Sequence, residues 1–325
     1  MDMEVDDKVY GQTKIEEPVL IELINSSPVQ RLKGICQGGP SKYANNRTVT
    51  RYDHSVGVMI LLKRLNTTIE EQIAGLLHDI PHTAFSHVID FVFKNDSHEF
   101  HEKFHEKMIM NSEIPSILDR HGIDIDFILN DHNFPLLENA IPDICADRID
   151  YTLRDMIDCF GFYDKVLEYR DGFIVVDNEI IIKNGIVAKR FAEDYMFVDE
   201  NLWASHFEVA LFQILANAIK IALNKGIISE EDMFKDDDYV YNKLKQSGDS
   251  EILNKLNMLK HDLKIKNDPS DYDFFTKTKL RYIDPKFINE NGSVSRVSDV
   301  DKTFKQRLEA HKELIKKGSF IKIIS

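Results

Sequence analysis

The stretch Gly75-Leu76-Leu77-His78-Asp79-Ile80-Pro81-His82-Thr83-Ala84-Phe85-Ser86-His87 ends an apolar helical run in an adjacent imidazole and carboxylate, and two more histidines follow within nine residues. Imidazole and carboxylate together suit zinc, manganese, iron or nickel, and a site built without cysteine leaves a hard, partly hydrated ion able to carry water. Pro81 biases Ile80 away from helical dihedrals, so the chain is expected to turn just after the His-Asp pair. A helix-terminal histidine is ordinarily a hydrogen-bonded cap. Here, however, seven of the twelve histidines fall between His54 and His105, with His98, His101 and His105 at helical spacing. That density makes the segment a candidate centre of chemistry.

The elements that must position these groups are helical. From Thr50, the residues His54, Val58, Leu61 and Leu62 recur at i, i+4, i+7 and i+8, which places His54 on the inward face of a helix. Thr68 and Glu71 have the spacing of a capping box, and Ile69, Ile73, Leu76 and Leu77 form the stripe of the helix that delivers His78 and Asp79. Further helices are predicted over about 83–94 and 99–111. Pro142 is placed to open a helix over 143–160 in which Cys145, Ile149, Leu153, Met156 and Phe160 face the core. Asp147, Tyr151 and Asp155, flanked by Arg148 and Arg154, lie on its other face. Such a face is ordinarily just solvated, but this one would also make the wall of a polar cleft.

The remaining patterns give a mainly α chain. A small hairpin or extended arm (1–24) leads into a short helix, and a hairpin over about 171–184 turns at Asp177-Asn178. Helices are predicted over 188–197, 205–223 and 299–317, and a short strand at Arg281–Pro285. The expected organisation is one domain over 1–225 followed by a mostly helical subdomain over 226–325. Hydrophobic residues make up 43%, enough for a substantial core. The net charge of -14 argues against duplex nucleic acid as a partner, although a few cations gathered around a metal can still bind phosphate. The run from Val56 to Leu62 falls far short of a membrane span and the N-terminus is acidic, so no membrane and a cytoplasmic setting are expected. Cys36, Cys145 and Cys159 lack metal-type spacing and read as core thiols.

With His54, His78-Asp79 and Asp147 on helices able to converge, the chain resembles the HD superfamily of metal-dependent phosphohydrolases, in which two histidines and two aspartates occur in this order. Gln30-Arg31-Leu32, Gln37-Gly38-Gly39, the run from His78 to His87, and Asp147-Arg148-Ile149-Asp150-Tyr151-Thr152-Leu153-Arg154-Asp155 resemble its deoxynucleoside triphosphate triphosphohydrolase branch. The resemblance covers roughly residues 9 to 160 and implies an HD-domain helical core. It implies His54, His78, Asp79 and Asp147 as ligands of a divalent ion (manganese, iron, nickel, zinc or magnesium). It further puts His82 beside the substrate phosphates, His87, Arg51, Arg148 and Tyr151 at phosphate, and Gln37 and Asp155 at the sugar. A catalytic proton-transferring histidine maps to His101, with His105 or His98 as the other registers, His82 as the next candidate, and Asp147 holding charge at the reacting centre. A homo-oligomer, dimer or higher, is also implied.

One departure bears on substrate. The branch offers an arginine to the terminal phosphates shortly after a Met-Phe-like pair, whereas here Met196-Phe197 is followed by Asp199-Glu200. A carboxylate near a polyphosphate repels it unless screened. Three functions are therefore open: hydrolysis of a deoxynucleotide, with triphosphate first; hydrolysis of a nucleoside monophosphate or another phosphoester; and an inactive HD protein that binds or regulates.

Overall fold

Thr50 starts the central helix, Arg51–Arg64, with a full capping box. Its hydroxyl accepts from the Asp53 N–H at 3.1 Å, and the Asp53 carboxylate accepts from the Thr50 N–H at 2.8 Å. The next helix, Ile69–Leu77, is capped by Thr68, but the expected reciprocal bond is not made. Glu71 is instead buried and accepts from the Leu136 N–H at 3.0 Å, tying the helix to the loop before Ala146. The third site helix, Ala146–Phe160, packs on Arg51–Arg64 and ends at Gly161, which adopts φ +66°. It begins after Cys145 rather than at Pro142, which follows a cis peptide bond in the preceding turn. The computed structural model describes the backbone of residues 2–93 and 101–324, and the side chains of these residues apart from His101 and Glu102.

Where one helix was expected over 83–94, the chain forms turns through His87 and then the short helix Val88–Phe93. Phe85 and Ser86 have φ of +62° and +53°, left-handed values that a helix cannot contain. The segment expected as a helix over 99–111 divides into a turn, His101–Phe104, and a helix, His105–Met110.

The fold is mainly helical, with small sheets at its edges. Met3–Asp7 and Gly11–Ile15 pair antiparallel, Met3 opposite Ile15. Phe173–Val176 and Glu179–Ile182 pair antiparallel across Asp177-Asn178, both at positive φ. Lys286–Ile288 runs parallel to Glu179–Ile182, and Val294–Arg296 completes a four-stranded sheet. The strand expected at 281–285 thus lies after Pro285, because proline has no N–H to give a ladder. Residues 226–325 also contribute Ile265–Asn267 and Phe274–Thr276, which flank Ser319–Ile323.

Two hydrophobic cores result. One joins the N-terminal hairpin, the three site helices and the helix Gly185–Val198 to Phe304 and Leu308. The other surrounds the helix His206–Asn224 and takes in Phe85, Val88, Leu244 and Ile321. That helix is long and apolar enough to cross a membrane, but its inward positions, from Val209 to Ala222, are buried against protein.

Candidate metal centre

His54 is wholly buried. Its Nδ1–H donates to Asp150 at 2.8 Å while Nε2 faces Asp147 Oδ1 at 2.8 Å. His78 follows the last turn of its helix, and its Nδ1–H donates to the Gly75 carbonyl at 2.8 Å. That bond fixes the tautomer and leaves Nε2 buried with no hydrogen-bond partner, 3.5 Å from Asp79 Oδ1 and 3.6 Å from Asp147 Oδ1. Asp79 Oδ2 lies 3.7 Å from His54 Nε2, and donor atoms of His54, His78 and Asp79 all fall within 4.8 Å of one another. Donors held about 2.1 Å from one ion stand roughly 3.0–3.4 Å apart, so this spacing is that of a slightly open ligand shell.

The electrostatics agree. Burial alone would drive the His54 imidazolium neutral, but hydrogen bonds to Asp147 and Asp150 outweigh it and hold the pKa at about 10. Burial likewise opposes charge on Asp79 and Asp147, yet Arg51 and His78 hold Asp79, and His54 and His78 hold Asp147, well below the usual carboxylate range. Two carboxylates thus stay ionised around a buried proton, a position that a divalent cation can take. The donor set and the orphaned His78 Nε2 fit such an ion.

Beneath the cluster runs a buried chain of charge. Asp150 accepts from the Arg154 Nε at 2.6 Å, and Arg154 donates to Asp7 at 2.7 Å, which joins the N-terminal hairpin to the back of His54. Gly57 is required where this chain crosses the central helix, since a Cβ there would run into Arg154 and Asp150.

A cavity of about 810 Å³ opens from the centre and draws its walls from both cores. Arg51 donates to Asp79 at 2.8 Å and to Ser86 at 3.0 Å. His82 Nε2 lies 3.1 Å from Asp79, and burial together with Arg51 depresses its pKa to about 4. His87 packs edge-on against His82 and pairs with Asp90 at 3.1 Å. Gln37 lines the cavity with a buried, unpartnered Oε1. Arg148 is anchored by the carbonyls of Asp143 and Asn139, and the Tyr151 and Tyr195 hydroxyls meet at 2.7 Å. Asp155 bonds Arg47 and accepts from the Trp203 Nε1–H at 2.6 Å. His105 lines the cavity and reaches the Leu77 carbonyl at 3.3 Å. The His98 register and the His101 side chain lie outside the described residues.

Glu200 departs from expectation. It bonds the Arg307 guanidinium through both oxygens at 2.7 Å and His311 at 2.8 Å, and it is absent from the cavity wall. Glu200 is thus paired with cations behind the wall, and Asp199 is buried there beside His311, 3.3 Å away. Sequence reasoning also missed Asp150, Arg47, Tyr195, Trp203 and Arg281. Only Asp150, one turn after Asp147 and inside a quoted motif, carried a signal that could have found it.

The HD domain family model matches residues 51–155, the segment that holds all four candidate ligands. The chain is 42% identical to the uncharacterised protein YdhJ of Bacillus subtilis over 99% of each chain. It is 33% identical to the metal-dependent phosphohydrolase cns2 of Cordyceps militaris over 69% of this chain and 68% of that one. A phosphohydrolase from Bacteroides thetaiotaomicron shares the fold at TM-score 0.67 and 18% identity, covering 93% of this chain and 95% of its own. With the family model over 51–155 and a metal-dependent phosphohydrolase matched over two thirds of its length, the chain belongs to the HD family of metal-dependent phosphohydrolases. It is a hydrolase, and its substrate class is a small phosphoester.

Proposed function

We propose that the phosphoester is a deoxynucleotide, with a deoxynucleoside triphosphate cleaved to deoxynucleoside and triphosphate as the first reading. The observation that carries it is the meeting of Gln37, Tyr151 and Asp155 with the histidine-aspartate cluster in one cavity. The deoxynucleoside triphosphate triphosphohydrolase SAMHD1 of Gallus gallus, 28% identical over 52% of this chain and 31% of its own, supports it. The neutralised Glu200 removes the main objection to a polyphosphate.

In this reading His54, His78, Asp79 and Asp147 hold a divalent ion. Such an ion supplies a Lewis acid for the phosphoryl oxygens and makes water more acidic. Arg51, oriented by Asp79 and Ser86, and Arg148, oriented by two carbonyls, hold phosphate oxygens without having to be ordered on binding. His82 and His105 are both depressed by burial and remain neutral near pH 7, so each donates a hydrogen bond and is a poor source of a proton. The donor to the leaving oxygen is then His101, the register that the family resemblance favours. Gln37, with its free carbonyl, and Asp155, held by Arg47 and Trp203, take the sugar.

The test is a screen of metal-reconstituted protein against deoxynucleoside mono- and triphosphates, with phosphate, pyrophosphate and triphosphate measured separately. Release of intact triphosphate is expected. Turnover of monophosphates or non-nucleotide esters with triphosphates untouched would overturn the reading.

A further inference from the structure

The segment from Lys277 to Pro285 has no regular secondary structure, and its residues from Thr278 to Arg281 form part of the cavity wall. Asp284 near its end bonds Pro142, Arg296 and Ser298, and His311, wholly buried, holds its middle by donating from Nε2 to the Arg281 carbonyl at 2.9 Å. The other ring nitrogen bonds Glu200 at 2.8 Å, so one imidazole ties the strap to the carboxylate behind the wall.

The Arg281 side chain is held differently. Its guanidinium lies 5.9 Å from the centre of the Trp203 ring, within cation–π range. Among the described residues it makes no side-chain hydrogen bond or ion pair, and it acts through space on the buried Asp199. Arg148 bonds the Asp143 and Asn139 carbonyls and the Cys145 sulfur, and among the described residues it forms no ion pair. Both guanidinium groups act through space on the same Tyr151–Tyr195 hydroxyl pair. An anion placed between two guanidinium groups is attracted by both.

We propose that Arg281, delivered by the strap from the C-terminal part of the chain, is a specificity-determining residue that binds the distal phosphates of an oligophosphate. Arg51 and the ligand cluster serve the phosphoryl group nearest the metal centre, and Arg148 and Arg281 line the same cavity. The strap thereby supplies the cation that Asp199-Glu200 cannot. This inference rests on the reading that the cavity takes a phosphoester, and it selects against substrates whose charge ends at one phosphate.

Trp203 is the single tryptophan of the chain, so its fluorescence reports on an anion at Arg281. The experiment titrates inorganic tripolyphosphate and, separately, orthophosphate into full-length protein at fixed free magnesium. Wild type should give a saturable Trp203 signal with tripolyphosphate. Arg281→Gln should weaken that binding roughly tenfold, as expected for loss of a charge-assisted contact, and leave orthophosphate unchanged. Arg281→Lys, which keeps the charge but not the fork, should fall between them and serves as the readout should the glutamine variant fold poorly. Equal weakening of both anions, or none, would overturn the assignment. Tripolyphosphate carries no sugar or base. Arg281-dependent binding without deoxynucleotide turnover would therefore reject the deoxynucleotide reading and leave the strap's role standing.

Discussion

Asp150 holds the far side of the His54 ring: Nδ1–H donates to its carboxylate at 2.8 Å, so Nε2 is turned toward Asp147 and the candidate metal centre. A carboxylate behind a ligating imidazole fixes its tautomer and raises its basicity. Asp150→Asn removes the charge and keeps the shape, and should weaken metal binding by roughly 10- to 100-fold. Chelator competition with manganese on wild type and variant measures this. Equal affinities would show that Asp150 serves only the Arg154 network.

The candidate ligands are legible in the sequence because each sits at a helical interval from apolar residues that must be buried, as His54 does from Val58, Leu61 and Leu62. Asp150 is harder to read. It falls between the polar and apolar stripes of its helix, and only the close passage of Gly57 beside Arg154 gives it a buried place. The break at Phe85 is illegible because the group that holds it, Asp237, lies 152 residues away. Glu200 misleads for the same reason, since Arg307 and His311 neutralise it from another helix.

The proposed reading gives proton transfer to His101, the register the family resemblance favours, over His105, whose pKa burial depresses and whose ring nitrogen faces the Leu77 carbonyl. His101→Ala should retain metal and lose roughly a hundred- to ten-thousandfold in turnover, the range of a general acid. His105→Ala should lose much less. The opposite ranking, measured at saturating substrate with metal content checked, would make His105 the donor.

The His311 cluster should make stability depend on pH. Burial opposes the imidazolium, but Asp199, Glu200 and the Arg281 carbonyl outweigh it and raise the pKa above the ordinary 6.5; the cations that face the cluster are Arg307, paired with Glu200, and Arg281, which acts through space on Asp199. A raised folded pKa gives stability that is complete below 6.5 and is lost as pH climbs through the folded value. Wild type should thus lose melting temperature over that climb, while His311→Gln, which cannot titrate, should start lower and show a flatter profile. Parallel profiles from about pH 6 to 9 would mean that His311 does not carry the dependence.

Asp237 accepts from the Phe85 N–H at 2.6 Å and the Cys36 N–H at 2.8 Å, one carboxylate oxygen for each. It thereby clamps the left-handed Phe85–Ser86 turn to the segment before Gln37, and Ser86 in turn donates to the Cys36 carbonyl at 2.7 Å while accepting from Arg51. Left-handed backbone at two successive non-glycine residues is strained and persists only where surrounding bonds enforce it. Asp237→Asn turns one acceptor into a donor that faces an N–H. A buried donor left without a partner costs about 1–3 kcal/mol. The variant should therefore melt at a lower denaturant concentration and, because the turn sets Arg51 and His87, should also lose turnover in what remains folded. Asp238→Asn, next in sequence but exposed and paired only with Lys42, is the control and should change neither. Should both variants unfold at the wild-type midpoint, the turn is held by its own packing and the clamp is dispensable.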